Sequence, residues 1–189
     1  MIEVEVKAKI EDIEAIKKNL KRLNLEKKET EIQEDIYFER EDIKFALNDK
    51  ALRIRSIEKN EKKYTKITYK GPKLDKISKT REEIELEVEN KDEMKKLFER
   101  LLFIESGHVK KIREIYEYLE KEDKNLENMK FEIAIDNVKG LGYYMEIETD
   151  LEDEKTELAI EKIYKLFKEL GIENGFERTS YLELLEKEN

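Results

Sequence analysis

Two acidic side chains two positions apart, Glu3 and Glu5, open the chain and are followed at the same spacing by Lys7. The same acidic pair returns near the other end as Glu146 and Glu148. Cations recur between them, as Arg53 and Arg55, Lys66 and Lys70, Arg81, and Lys111 and Arg113. Residues two apart on a β-strand share a face and stand about 7 Å from one another. Each set therefore occupies one face of its own strand. If those faces converge, many carboxylates and many cations share one space, and the desolvation cost is too high for a purely structural role. A ligand that is itself highly anionic and metal-bound reconciles the two sets.

The elements that must position these residues are legible as alternation. Ile2, Val4, Val6, Ala8 and Ile10 share one parity of the opening stretch, against Glu3, Glu5, Lys7 and Lys9 on the other, which is the period of a strand. Further strands are expected at Gln33–Glu39, Ala51–Arg55, Tyr64–Lys70, Lys79–Val88, His108–Tyr116, Met129–Val138 and Tyr143–Glu148. In Lys79–Val88, Ile84, Leu86 and Val88 oppose Arg81, Glu83, Glu85 and Glu87. Apolar residues at helical spacing predict helices over Glu11–Leu25, Lys91–Leu102 and Glu152–Leu170, with a last one from about Thr179 to Glu188. Gly71-Pro72 and Lys139–Gly142 read as turns, and Glu117–Lys130 as a solvated hairpin tip.

At 189 residues the chain suits one domain spanning 1–189. Charged residues make up 46% and the formal net charge is -9, which argues against a nonspecific nucleic-acid binder, because phosphate neutralisation needs a basic surface. No cysteine is present, so there is no disulfide framework and no thiolate chemistry, which fits the cytoplasm. No long apolar run is present, so neither a signal peptide nor a membrane span is expected. Two arrangements satisfy the pattern. One is an open antiparallel sheet with helices on its oily face and its charged face in water. The other is α+β: an eight-stranded antiparallel closed β-barrel, a tunnel with a polar charged lining and amphipathic helices packed outside.

The residues also match a known family. Glu3-Val4-Glu5-Val6-Lys7 resembles the Glu-x-Glu-x-Lys signature of the CYTH superfamily, the triphosphate tunnel metalloenzymes. Ala51-Leu52-Arg53-Ile54-Arg55 resembles the family's Leu-Arg-x-Arg strand, Tyr69-Lys70-Gly71-Pro72 its Lys-x-Pro strand end, and Arg81-Glu82-Glu83-Ile84-Glu85 its Arg-Glu-x-x-Glu strand. Val109-Lys110-Lys111-Ile112-Arg113 is similar to Val-x-Lys-x-Arg. Asp136 through Glu148 is similar to the family's Asp-x-x-x-x-Leu-Gly-x-x-x-Glu-x-Glu, and Ser180-Tyr181 to its C-terminal Ser-Tyr. The likeness is greatest to the class IV adenylyl cyclase and thiamine triphosphatase branches.

This resemblance implies the closed tunnel and a metal-dependent phosphoryl-transfer enzyme. Its expected reaction converts ATP to cyclic AMP and pyrophosphate. The alternatives are hydrolysis of tripolyphosphate, thiamine triphosphate or a nucleoside triphosphate, and a noncatalytic triphosphate or polyphosphate sensor. A protein interaction module with a merely solvated charged face is a third class. The resemblance assigns Glu3, Glu5, Glu146, Glu148 and Asp136 to Mg2+ or Mn2+, a hard cation that takes oxygen ligands. It assigns Lys7, Arg53, Arg55, Lys66, Lys70, Arg81, Lys111 and Arg113 to the triphosphate, and catalytic parts to Lys7, Arg55, Lys111 and Asp136. Glu83 and Glu85 are expected to hold the cations when the tunnel is empty. A homodimer is implied by the cyclase likeness alone. His108 is expected to be exposed, Lys110 to lie off the lining parity, and Asp35 to cap or to pair with a cation.

Overall fold

The structure is a computed structural model that describes residues 2–72, 81–121, 124–126, 128–151 and 155–188. Its strands are β1 (Ile2–Lys9), β2 (Lys27–Glu39), β3 (Ala51–Lys59), β4 (Lys62–Lys70), β5 (Arg81–Val88), β6 (Ile104–Leu119), β7 (Lys130–Val138) and β8 (Gly142–Leu151). They close into a barrel in the order β1-β5-β4-β3-β2-β6-β7-β8. Every pairing is antiparallel. Closure settles the choice between a flat sheet and a tunnel, because a ring leaves no edge and gives the charged parity an interior.

Four helices complete the α+β fold: α1 (Ile13–Arg22), α2 (Lys91–Arg100), α3 (Thr156–Leu170) and α4 (Tyr181–Glu188). Asp12 starts α1 by accepting from the backbone N–H groups of Glu14 and Ala15, and Asn90 starts α2 in the same way on Asp92 and Glu93. Ser180 and Glu183 exchange side-chain to backbone hydrogen bonds at the head of α4, a capping box. Gly171 ends α3 in the left-handed region at φ 96°, where a side chain would be strained.

The outward parity of β1, β7 and β8 builds the main core. Val4, Val6, Ile133, Ile135, Met145 and Ile147 pack under Ile16 and Leu20 of α1 and under Ile163, Leu166, Phe167 and Leu170 of α3. A second cluster joins Ile36 and Phe38 of β2, Leu52 and Ile54 of β3, and Phe98 of α2. A third lies at one barrel end. There Val109, Val138 and Tyr144, all on the inward parity, meet Tyr181 and Leu182 of α4. Helix α4 therefore caps one mouth. Gly107 makes the close approach possible, since a Cβ there would lie 2.3 Å from Leu182 Cδ1.

The structure departs from the sequence expectations mainly in extent. Strand β2 begins six residues before Gln33 and β6 four residues before His108, because the two pair from Lys27↔Tyr116 to Glu39↔Ile104 through two bulges, and β6 runs on past Tyr116 to Leu119 against β7. Charge on both parities of Lys27–Glu31 hides the alternation at the start of β2. Along α2, only Phe98 is buried, while Leu97 and Leu101 of the same apolar stripe are exposed. Ile84 and Leu86, on the outer face of β5, are exposed as well. The expected starts at Lys79 and Glu152 lie outside the described residues. No helix among the described residues is long and apolar enough to cross a membrane.

Candidate active site

Closure turns the charged parity of all eight strands into the lining of one cavity of about 1030 Å³. Burying so many ionised groups is tolerable only when each is paired and hydrogen-bonded, and the register supplies the partners. On β2, Asp35 stands opposite Arg55, whose Nε and Nη2 donate to its two carboxylate oxygens at 2.7 Å each, while Arg53 approaches to 3.5 Å. Burial pushes the Asp35 carboxyl up, but Arg55 and Arg53 outweigh it and hold it well below the usual range. Across the β6–β7 pair, Arg113 donates twice to Asp136 at 2.7 Å, and Lys111 donates to the same carboxylate at 2.8 Å. Arg113 also binds Glu146.

The β4–β5 wall repeats the device. Lys66 donates to Glu85 at 2.6 Å, and Lys70 sits 2.5 Å from Glu83 and 2.8 Å from Glu3. At the mouth capped by α4, Lys7 donates to the Thr179 carbonyl at 2.6 Å and lies 4.0 Å from the centre of the Tyr181 ring. The Tyr181 hydroxyl donates to Asp136 at 2.9 Å. Burial, then Arg113, pull the Lys111 ammonium down to about 8.

One part of the lining brings three carboxylates together. Glu3, Glu5 and Glu148 each offer a carboxylate oxygen to a cluster whose atoms lie within 4.8 Å of one another. Burial, then the charge on Glu3, push the Glu148 carboxyl well above the usual range, and burial raises Glu3. Three crowded carboxylates make an oxygen-only donor set that fits a hard divalent cation. Elsewhere the lining keeps unused capacity for a polar ligand. Arg53 Nε, Arg81 Nε and Gln33 Oε1 are buried and lack hydrogen-bond partners, and all three side chains line the cavity.

The structure thus gathers Glu3, Glu5, Lys7, Arg53, Arg55, Lys66, Lys70, Arg81, Glu83, Glu85, Lys111, Arg113, Glu146 and Glu148 around one cavity. Asp136 is fully buried behind Lys111, Arg113 and Tyr181, and Glu146 is turned to Arg113. His108 pairs with Glu105 on the outer surface, and Lys110 faces outward to Glu34 at 2.7 Å. Asp35 pairs with Arg55 and Arg53. Sequence reasoning gave no role to Gln33 or Glu132, although parity with Asp35 and Asp136 placed both on the lining, and it missed Glu31, which lies before the expected start of β2. It also gave none to Tyr181, whose reach into the barrel depends on where α4 docks.

A model of the CYTH domain matches residues 1–181. The chain is 43% identical over 186 residues, 97% of this chain and 98% of the relative, to a Methanocaldococcus jannaschii protein carrying the name "Putative adenylate cyclase MJ0240". Among solved structures it is similar to the PH1819 protein of Pyrococcus horikoshii OT3, at 41% identity and a TM-score of 0.87 over 99% of both chains. It is also similar to HpAC1 from Hippeastrum, described as a "putative adenylyl cyclase" that reveals a dominant triphosphatase activity, over 99% of this chain and 96% of that one. At 19% identity and a TM-score of 0.69, the latter likeness shows the fold alone.

Proposed function

The chain belongs to the CYTH domain family, and from that premise we propose that it is a divalent-metal-dependent phosphoryl-transfer enzyme whose substrate is a triphosphate. The observation that carries the reading is the meeting, in a single cavity, of a carboxylate cluster, Glu3, Glu5 and Glu148, with a cation-rich lining that keeps unpartnered guanidinium N–H groups on Arg53 and Arg81. In the eight-strand ring, Arg53 and Arg55 of β3 lie four strands from β8 and so face Glu148 across the barrel.

Glu3, Glu5 and Glu148 would hold Mg2+ or Mn2+. When bound, such an ion supplies charge neutralisation and polarises phosphate oxygens. Arg53, Arg55 and Arg81 present planar forks to non-bridging oxygens, and Lys66, Lys70 and Lys111 act as point charges. Glu83 and Glu85 keep Lys70 and Lys66 extended before the ligand arrives. Asp136 fixes Lys111 and Arg113 from behind, so their charge is aimed before substrate binds and needs little reorganisation as negative charge develops. Lys7 and Tyr181 form the floor at the α4 end. Glu146 could ligate a cation only after release from Arg113.

Two nucleophiles fit this machinery. Attack by the ATP 3′-hydroxyl on the α-phosphorus gives cyclic AMP, the reading favoured by the M. jannaschii relative's name. Attack by water on the terminal phosphorus gives phosphate. A lining dominated by charge, with Tyr37 and Tyr181 already engaged in the cluster at the α4 mouth, favours the second. The test is incubation with ATP, tripolyphosphate and thiamine triphosphate in Mg2+ or Mn2+, with product identification. Cyclic AMP or phosphate supports the enzyme, tight binding without product supports a sensor, and no metal-dependent binding removes the reading.

A further inference from the structure

Helix α4 sends its first side chain, Tyr181, into the barrel, and that residue is the buried member of the helix. Its place is fixed from two sides. Residues 175–177 are strapped to the end of β1, where the Lys9 N–H donates to the Gly175 carbonyl at 3.2 Å and the Glu177 N–H to the Lys7 carbonyl at 2.8 Å. The capping box of Ser180 and Glu183 then sets the direction of the first turn. The strand that carries Lys7 therefore also holds the segment that delivers the ring.

Charged groups from three strands meet at Tyr181. The Lys7 ammonium of β1 lies 4.0 Å from the ring centre and the Lys111 ammonium of β6 lies 5.1 Å from it. The hydroxyl donates at 2.9 Å to Asp136 of β7, on the oxygen that also accepts from Lys111 at 2.8 Å and Arg113 at 2.7 Å. Around them the inward parity turns apolar, at Val109, Val138 and Tyr144. Lys7 is 1% exposed, and a buried ammonium is costly unless compensated. Beside its bond to the Thr179 carbonyl, an aliphatic floor would offer it nothing, whereas the negative face of an aromatic ring attracts cations. Lysine is also a point charge on a flexible four-carbon stem. Two such groups close to Arg113 repel one another, and the ring opposes their spreading before ligand arrives.

Resting on the triphosphate reading above, we propose that Tyr181 is a positioning residue whose ring holds the Lys7 and Lys111 ammonium groups together at the α4 end, aimed at one end of the phosphate chain. Its bond to Asp136 fixes the tilt of the ring. Tyr181 acts through the two lysines and touches no phosphate itself. Immobilising two rotamer-rich side chains is a cost that otherwise falls on the binding step, and the ring meets it in advance. Docking of α4 has other agents. Leu182 packs against Gly107, and Leu185 Cδ2 lies 3.1 Å from the place of a Cβ at Gly140. The two roles are therefore separable.

The experiment measures tripolyphosphate binding in Mg2+ by calorimetry, with hydrogen exchange of α4 followed alongside. The proteins are the wild type, Tyr181→Phe, Tyr181→Leu, Tyr181→Met, Leu185→Ala, Lys7→Met, and Tyr181→Leu combined with Lys7→Met. Tyr181→Leu and Tyr181→Met keep apolar volume and lose the aromatic face; each should raise Kd about ten-fold or more, the loss of two cation–ring contacts. Tyr181→Phe keeps the face and should stay within about three-fold of wild type. Leu185 does not line the cavity. Leu185→Ala should speed exchange in α4 as much as Tyr181→Leu does, with Kd within about two-fold of wild type, as for an independent site. In the Lys7→Met background, Tyr181→Leu should weaken binding by no more than about three-fold further, because the two residues act as a unit. Four results overturn the proposal while leaving the triphosphate site standing: a Phe variant as weak as the Leu variant, an unchanged Kd in the folded Leu or Met variant, Leu185→Ala as damaging to binding as Tyr181→Leu, or the full loss persisting without Lys7. Failure of the wild type to bind tripolyphosphate overturns both.

Discussion

Asp35→Asn isolates what holds the cation wall in place. The native carboxylate is 3% exposed and accepts two hydrogen bonds of 2.7 Å from Arg55, with Arg53 at 3.5 Å. The asparagine keeps the volume, removes the charge, and turns an N–H2 toward one of the guanidinium donors. Breaking a buried pair by removing one partner costs about 3–5 kcal/mol. In a domain of this size each kcal/mol moves Tm by about 2–4 °C, so a fall of about 6–20 °C is expected at pH 7 by circular dichroism or calorimetry. The folded-state carboxyl lies below its unfolded value of about 3.9. Its contribution is therefore complete above that value and is lost as pH falls through the folded-state value. The gap between wild type and variant should narrow as the solution is acidified below about pH 4. In the double variant with Arg55→Gln, part of the loss should return, with a coupling of about 2 kcal/mol or more. A gap under about 1 kcal/mol, or a gap constant from pH 7 to pH 3, would refute the reasoning.

Three other outcomes are expected. Glu148→Gln removes one of the crowded carboxylates; it should raise the thermal midpoint of the metal-free protein and lower metal-dependent turnover about 100-fold or more, as read by thermal scans with and without Mg2+ and by product assay. Arg55→Ala should weaken tripolyphosphate binding at least about ten-fold, an amount consistent with losing a charge-assisted contact. Arg22→Ala should leave binding unchanged, because Arg22 lies on α1 outside the barrel and donates to the Glu169 carbonyl at 2.7 Å. Gly107→Val drives a side chain into Leu182, which already lies 2.3 Å from a Cβ position. It should cost about 1–3 kcal/mol and increase hydrogen exchange in α4 relative to α3.

Period-two alternation made the inward faces of β1, β3, β6 and β8 readable before any coordinates, because charge at Glu3, Glu5, Arg53, Arg55, Lys111, Arg113 and Glu148 contrasts with Val4, Ile54 and Ile147 on the other side. The contrast fails at Lys27–Ile32, where both parities are charged or mixed, and the start of β2 was hidden there. Partner choice was not legible either. Whether Lys111 meets Asp136 or Glu31 depends on register and closure, and a one-residue slip would exchange every pair. The same holds for Asp136, whose place behind Lys111 and Arg113 is set by the β6–β7 register. Gln33 was on the lining parity, but an unmatched amide oxygen shows itself only once Glu31 is seen to hold the other end. The part played by Tyr181 needed the docking of α4 over the barrel mouth, and no local pattern encodes that contact.

The central claim is that Glu3, Glu5 and Glu148 hold a divalent cation facing a triphosphate on the cation-rich lining. Crystals grown with Mn2+ and tripolyphosphate, measured at the manganese absorption edge, test it most directly. The account predicts an anomalous peak among those three carboxylates, with phosphate oxygens shared between it and the guanidinium groups of Arg53 and Arg81. Manganese bound only outside the barrel, or tripolyphosphate absent from the cavity while manganese is present, would contradict it.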